Sequence, residues 1–492
     1  MKNGILGKHS PGLLGLIGLI FILILPVNWV SKGFAIAAIA NFVVFTYLFR
    51  NFYNPASIFM SMFLFMIGCS QAKLTAIEQN DFSYDTWLAI SAVIITFYTV
   101  CIGFILSNKK KNITKNKHGN YEISSRTLFA SNIIGIIVEI ALYCYAFNKI
   151  GSIPLFNDNA RANIMPNVIS NYLMNILVMP IYLIIFNSIY VTHTKKYGYM
   201  IFSTIFLLML VLLGGRTNIF IPIFTSLFYI TIYFYFNKND RRSTFITGFL
   251  IFSSVAFLMT TIPLIRAQIY TQDKYYAVTN DSKVESGADY YSDIYSTPQP
   301  ISQDLTPDSI NSSSYEEFKP TMELPPQLMP IWVNLSTELH AFNNMVIYFN
   351  KTNDFRDGRV LLTGTFHFIT KHFLPDETLD LSKMDTYNWV NILSFMQKPY
   401  MDFGSYGLIG FMLFFTSLSM FLYYRLQRKK DTLSMILYSY IGMVTLFMIC
   451  DNQFYNSTII VNITLLLLFK WFMKKDWLSL ISKPIKKSRV DI

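Results

Sequence analysis

Long apolar runs, each close to 20 residues and separated by short polar stretches, set the pattern of this chain. A helix needs about 20 mostly apolar residues to cross roughly 30 Å of hydrocarbon. The runs predict twelve spans, at about 12–30, 33–49, 56–75, 87–107, 127–147, 169–191, 198–214, 217–236, 243–264, 403–424, 432–450 and 457–473. The pattern changes once, between 265 and 402, where polar residues dominate. The prediction is an all-α polytopic membrane protein with one large extracytoplasmic loop between the ninth and tenth spans.

Charge then orients the spans. Basic stretches follow the even-numbered ones: "SNKKKNITKNK" after the fourth, "THTKKYG" after the sixth, "NKNDRR" after the eighth, "RLQRKKD" after the tenth, "KKDW" and "KPIKKSR" after the twelfth. Lysine and arginine collect in cytoplasmic loops, so both termini are expected in the cytoplasm. The opposite side is acidic. "EQNDFSYD" follows the third span, and the region 264–402 holds 18 acidic against 10 basic residues. Lys2 and Lys8 precede the first run, and no small-residue cleavage site follows it. It therefore reads as a retained helix and not a signal peptide.

Composition fits this picture. Of 492 residues, 53% are hydrophobic and 14% charged, with mean hydropathy +0.38; soluble domains carry about 25% charged residues. The net charge of +11 belongs to the cytoplasmic loops and does not point to nucleic acid. The four cysteines, Cys69, Cys101, Cys144 and Cys450, lie in or beside apolar runs. They lack the spacing of a disulfide or zinc framework.

Four segments follow: 1–264 with spans one to nine, 265–402 as the external loop, 403–473 with the last three spans, and 474–492 as a basic cytoplasmic tail. Within the loop, 271–330 is rich in Ser, Asp, Tyr and Pro and has too few apolar residues for a core, so it reads as mobile. From 331 to 400 apolar residues return at helical spacing, as in "IWVNLSTELHAFNNMVIYF" and "LLTGTFHFITKHFL". These predict helices capping the outer face.

The residues able to do chemistry collect on that outer side. Arg216 sits in "LLGGRTNIF", in a short external turn. Gly214 and Gly215 permit close approach there, and Thr217 and Asn218 suit the cap of the next helix. A guanidinium beside a helix N-terminus makes an anion site suited to a diphosphate; the alternative is a headgroup anchor. Arg266 closes the ninth span in "TTIPLIRAQIY". Glu338 and His340, in "STELHAF", are candidates for a general base on a sugar hydroxyl. Two positions apart, they do not share a helical face. Arg356, Arg359, His367 and His372 are candidate substrate contacts. Asp402, just before the tenth span, is a third candidate base or that helix's cap, with Gly404, Gly407 and Gly410 allowing close packing. Asp158 and Arg161 lie in another external loop, "GSIPLFNDNARANIMP". No metal-ligand spacing occurs, so neither metal nor cofactor is expected. No nucleotide-binding signature occurs either. Chemistry on the outer side must therefore draw on energy already stored in its substrate.

Four stretches carry a resemblance: "GGRT" at 214–217, "GSIPLF" at 151–156, "TGTFHFITKHFLP" at 363–375 and "NILSFMQKPYMDFGSYGLIG" at 391–410. Over most of its length, with these stretches taken in chain order, the chain resembles the Wzy-type oligosaccharide repeat-unit polymerases of O-antigen and capsule synthesis. The Ser/Asp/Pro-rich stretch at 271–330 departs from that pattern. The resemblance implies a GT-C-like, metal-independent, inverting glycosyltransferase of the bacterial cytoplasmic (inner) membrane. Its substrate would be an undecaprenyl-diphosphate-linked oligosaccharide, and a Wzz-like chain-length regulator would be a partner. Arg216, Arg266, Arg161, Arg356, Arg359 and His367 would then bind diphosphate or glycan. His340, Glu338 or Asp402 would act on the acceptor hydroxyl. Two alternatives stand beside this reading. One is an O-antigen ligase, which shares the donor. The other is a lipid-linked-oligosaccharide flippase or transporter, in which a mid-span charge such as Glu139 would line a path.

Overall fold

The computed structural model describes residues 27–74, 81–108, 123–150, 179–212, 216–236, 329–366, 394–448, 452, 454 and 458–474. The described residues are helical, with no strand among them. In chain order the helices are α1 (Trp29–Phe49), a π-turn Ala56–Met60 running into α2 (Ser61–Ser70), α3 (Tyr84–Asn108), α4 (Ser125–Ile150), α5 (Pro180–Thr194), α6 (Tyr199–Leu212), α7 (Arg216–Phe236), α8 (Met329–Thr352), α9 (Arg359–Thr365), α10 (Gln397–Lys429), α11 (Thr432–Phe447) and α12 (Thr458–Lys474).

Five of these are long and apolar enough to cross a membrane: Trp29–Phe49, Tyr84–Ser107, Ser125–Tyr145, Asn218–Phe236 and Gln397–Lys429. Shorter apolar helices cover Ala56–Ser70, Tyr199–Leu212 and Thr432–Phe447. Their exteriors are apolar too: Ile95, Ile102, Leu106, Ile134, Ile137, Leu208, Leu413 and Phe421 are all exposed. Apolar surface on this scale is not left facing water, and it marks a membrane-embedded protein. The span at 243–264 and most of the one at 12–30 lie outside the described residues, as do 271–328 and the tail 475–492.

The chain forms two compact units. The first comprises Met1–Ile113, Thr271–Tyr424 and Val444–Ile460; the second comprises Thr114–Tyr270, Arg425–Met443 and Val461–Ile492.

In the first unit, α1 and α2 run antiparallel. Ser31 near the start of α1 donates to Gly68 O near the end of α2 at 2.7 Å, while Thr46 and Ser57 meet at the other end at 3.2 Å. Polar residues inside this packing find one another. Asn41 Nδ2 donates to Ala56 O and to Ser61 Oγ at 2.9 and 2.8 Å, and its Oδ1 accepts from the Tyr98 hydroxyl at 2.7 Å. In hydrocarbon there is no water to replace such bonds, so polar side chains glue helices together. Aromatic rings fill the rest, with Phe59 touching Phe63, Phe97, Phe395 and Phe415.

Helix α10 is broken. Phe403 (φ −144°, ψ 23°) and Gly404 (φ 58°, ψ −142°) leave helical geometry, so the turn 397–402 is out of line with the rest. Gly404 supplies the positive φ at no steric cost. The break presses the first turn onto the second segment: a Cβ on Gly407 would lie 2.0 Å from Pro399 O. Gly410 faces open space, so the close packing expected of all three glycines does not extend to it. In an ordinary helix Gly→Ala stabilises by about 1 kcal/mol. Here overpacking reverses the sign, at a cost of about 1–3 kcal/mol. Gly407→Ala should lower the thermal midpoint of the solubilised protein, whereas Gly410→Ala should leave it level or raise it. Equal behaviour of the two would contradict the break.

Candidate functional site

Eight consecutive residues of α8, Ser336 to Asn343, are buried on every side. An all-round buried helix is normally apolar all round. This one carries Ser336, Thr337, Glu338, His340 and Asn343. Burial on that scale explains how Glu338 and His340 can both be enclosed (1% and 2% exposed) although they do not share a face. Neighbouring elements hold the stretch from several sides. Asn343 Oδ1 accepts from Ser83 N–H and from the Thr86 hydroxyl at 2.8 and 2.7 Å, so α8 braces the start of α3. Gln397 Nε2, in the first turn of α10, donates to Glu338 O at 3.2 Å, and Ser394 Oγ holds its Oε1 at 2.7 Å. The Tyr400 hydroxyl donates to Asn350 Oδ1 at 2.9 Å, and Asn350 Nδ2 donates to Asp85 at 2.8 Å.

His340 has a defined protonation geometry. Its Nε2 lies 2.8 Å from Ser70 O. A carbonyl can only accept, so Nε2 carries the hydrogen and the neutral ring keeps its lone pair on Nδ1. That nitrogen is buried and has no hydrogen-bond partner among the described residues. Phe82 packs edge-on against the ring, with centroids 4.9 Å apart. Burial pushes the imidazole down to about 4. The Ser70 carbonyl opposes that shift, and Lys73 and Asp81 pull in opposite directions. At neutral pH His340 is therefore an uncharged acceptor in a dry, enclosed setting, where a single polar contact with an entering hydroxyl is strengthened.

Asp402 is placed differently from the sequence expectation. Asp402 stands just before the break at Phe403 and Gly404, but its carboxylate reaches to another segment and not to the span that follows. It caps α9 from a distance instead: Oδ1 and Oδ2 accept from Val360 N–H and Leu361 N–H, each at 2.9 Å. Gly358, at the α9 N-cap position with φ +85°, offers no side chain for that task. Two backbone bonds complete the splice, Arg356 N–H to Met401 O at 2.9 Å and Asp357 N–H to Asp402 O at 3.1 Å. Asp402 is 0% exposed, and both oxygens are engaged. The carboxylate holds the fold here.

Arg356 and Arg359 flank this splice in the same unit. The Arg356 guanidinium is paired with Asp354 at 3.3 Å and stays partly exposed. Arg359 opens α9. Arg216 is the first residue of α7, so Thr217 and Asn218 fall inside its first turn and not at its cap. Arg216 belongs to the second unit. Arg161, Arg266, His367 and His372 lie outside the described residues. The structure thus brings together Glu338 and His340 on one enclosed helix, with Asp402, Arg356 and Arg359 on the segments around it. Sequence reasoning missed Ser70, Ser336, Asn343 and Gln397. Asn343 and Ser336 were the findable ones: they sit three and four residues from His340, on its face. No group of three or more His, Cys, Asp or Glu able to hold a metal occurs among the described residues. Comparison with family models, with curated proteins and with solved structures finds no match to this chain.

Proposed function

We propose that the chain is a multi-pass enzyme of the bacterial cytoplasmic membrane, with about twelve spans in a GT-C-like arrangement and both termini in the cytoplasm. On the outer side it polymerises undecaprenyl-diphosphate-linked oligosaccharide repeat units into O-antigen or capsule. The observation that carries this reading is the enclosed polar stretch of α8, in which His340 keeps an unengaged lone pair on Nδ1.

The chemistry asks little more of the protein. The acceptor sugar hydroxyl gives its proton to Nδ1 as its oxygen attacks the anomeric carbon of the donor. The bond from that carbon to the diphosphate oxygen breaks, the anomer inverts, and undecaprenyl diphosphate leaves. On protonation the ring becomes an imidazolium whose Nε2–H still donates to Ser70 O, so the ring need not turn. Glu338 is the neighbouring carboxyl on the same enclosed stretch. The departing diphosphate gains charge, which guanidinium groups and a helix N-terminus stabilise; Arg216 in "GGRT" is the sequence's candidate for that role.

A second reading, a flippase, is favoured by one observation. Glu139 is a carboxyl buried within a membrane-length helix. A glycan ladder on a gel separates the two. Cells whose only copy carries Arg216→Ala, at normal protein level, should lose the ladder and keep single repeat units. A normal ladder would reduce Arg216 to a headgroup anchor. Absence of all surface glycan would move the chain to the flippase reading.

A further inference from the structure

Helix α4 buries one narrow stripe: Leu128, Asn132, Gly135, Glu139 and Tyr143. The spacing of three and four residues makes them a single face. The other faces are apolar and exposed, with Ile133, Ile134, Ile137, Val138 and Ile140 surrounding the carboxyl position. The stripe packs closely on α5 and α6. A Cβ on Gly135 would stand 2.7 Å from Leu183 Cδ1 and 3.2 Å from Phe206 Cζ. Its other polar members are satisfied across the interface. Asn132 and Asn187 exchange amide hydrogen bonds of 2.8 and 2.9 Å, and the Tyr143 hydroxyl donates to Met209 O at 3.0 Å. Glu139 breaks the rule. It is 1% exposed, and neither of its oxygens has a hydrogen-bond partner among the described residues.

No counter-charge faces it there. On α5 the titratable groups are Tyr182, whose hydroxyl donates to Asn462, and Tyr190 and His193 toward the far end. On α6 there is only Tyr199, at its start. On α4 itself, Arg126 lies more than three turns before Glu139 and Lys149 almost three turns after it; Tyr143, Cys144 and Tyr145 come between. Helix α12 meets α4 at its start, where Ser124 N–H donates to Met473 O beside the terminal Lys474. An ionised carboxylate with neither donor nor cation in such an interior carries a heavy desolvation penalty. Taking up a proton removes that penalty.

We propose that Glu139 is a proton-binding site inside the membrane: the side chain is carried as the neutral acid at pH 7, and it is where the second unit takes up or gives up a proton. This does not rest on the polymerase reading, since it follows from the packing of α4, α5 and α6 alone.

Infrared difference spectroscopy of the purified full-length protein in lipid tests it. The spectrum of wild type minus Glu139→Gln at pH 7 should contain the C=O stretch of a protonated carboxyl, shifted down in D2O. A spectrum with carboxylate bands in its place means that Glu139 is ionised and overturns the proposal. Should Glu139→Gln not fold, wild-type protein treated with the apolar reagent dicyclohexylcarbodiimide provides the readout, because that reagent attacks protonated carboxyls. Mass spectrometry should find the adduct on Glu139 at pH 7, fading as pH rises. Wild-type protein with no adduct and no acid band at pH 7 overturns the proposal. Adduct formation suppressed by added Na+ would also overturn it in its present form, by showing a metal cation as the occupant.

Discussion

Asp402→Ala should destabilise the first unit by about 3 kcal/mol, since hydrogen bonds to a charged group contribute about 1.5–3 kcal/mol each and this carboxylate accepts two of them, from Val360 and Leu361 N–H. The donors are not freed into water. Val360 is buried and Leu361 partly so, so the substitution leaves two orphaned N–H groups at the start of a seven-residue helix. Asp402→Asn should fall between wild type and alanine, because its one amide oxygen replaces one of the two acceptors and its NH2 cannot accept. Thermal unfolding of the protein in lipid nanodiscs should rank wild type above Asn above Ala. The ranking also separates holding from catalysis. If Asp402→Asn is as stable as wild type yet makes no polymer, the carboxylate belongs to the reaction and its role as a cap is secondary.

His340 carries the second large effect. His340→Ala should lower glycan transfer by about 10²–10⁴-fold, the usual contribution of a positioned base. Alanine also removes the bond to Ser70 O, so the informative variant is His340→Asn. Its Nδ2 can donate to that carbonyl, but it has no basic nitrogen. A folded His340→Asn protein without polymer supports the base; a folded one with a normal ladder removes His340 from the chemistry. The pH dependence is equally specific. Burial takes His340 from 6.5 down to about 4, so between those values the unfolded chain binds a proton that the folded one refuses. Stability rises with pH wherever the unfolded state binds more protons. The contribution of this site, about 3 kcal/mol at 1.36 kcal/mol per pH unit, is fully present above about pH 6.5. It is lost progressively as pH falls to about 4. Between pH 7 and pH 5 the unfolding midpoint of wild type should fall relative to that of His340→Asn, which has no titrating ring. Parallel curves would show that the ring is not enclosed as described.

The spans were the most legible part of the sequence. Hydrocarbon thickness sets one length, backbone hydrogen bonding in lipid leaves only helices or closed barrels, and both constraints act on contiguous residues. The predicted runs at 33–49, 87–107, 127–147, 217–236 and 403–424 each coincide with a helix long enough to cross. The helical spacing after Ile331 likewise anticipated α8 and α9, and "STELHAF" pointed to Glu338 and His340. Other features had no local signature. His340 owes its tautomer to a carbonyl 270 residues away. Asp402 caps a helix that starts 43 positions earlier in the chain, and sequence reasoning assigned it to the helix that follows. The break at Phe403 and Gly404 places Pro399 O against Gly407, although glycines at helical spacing read the same whether they face a neighbour or open space, as Gly410 does. Periodicity records which face of a segment avoids its solvent. It does not record which distant donor, acceptor or ring meets that face, and at 336–343, where every face is enclosed, tertiary packing alone decides which polar atoms are satisfied and which lone pair remains for chemistry.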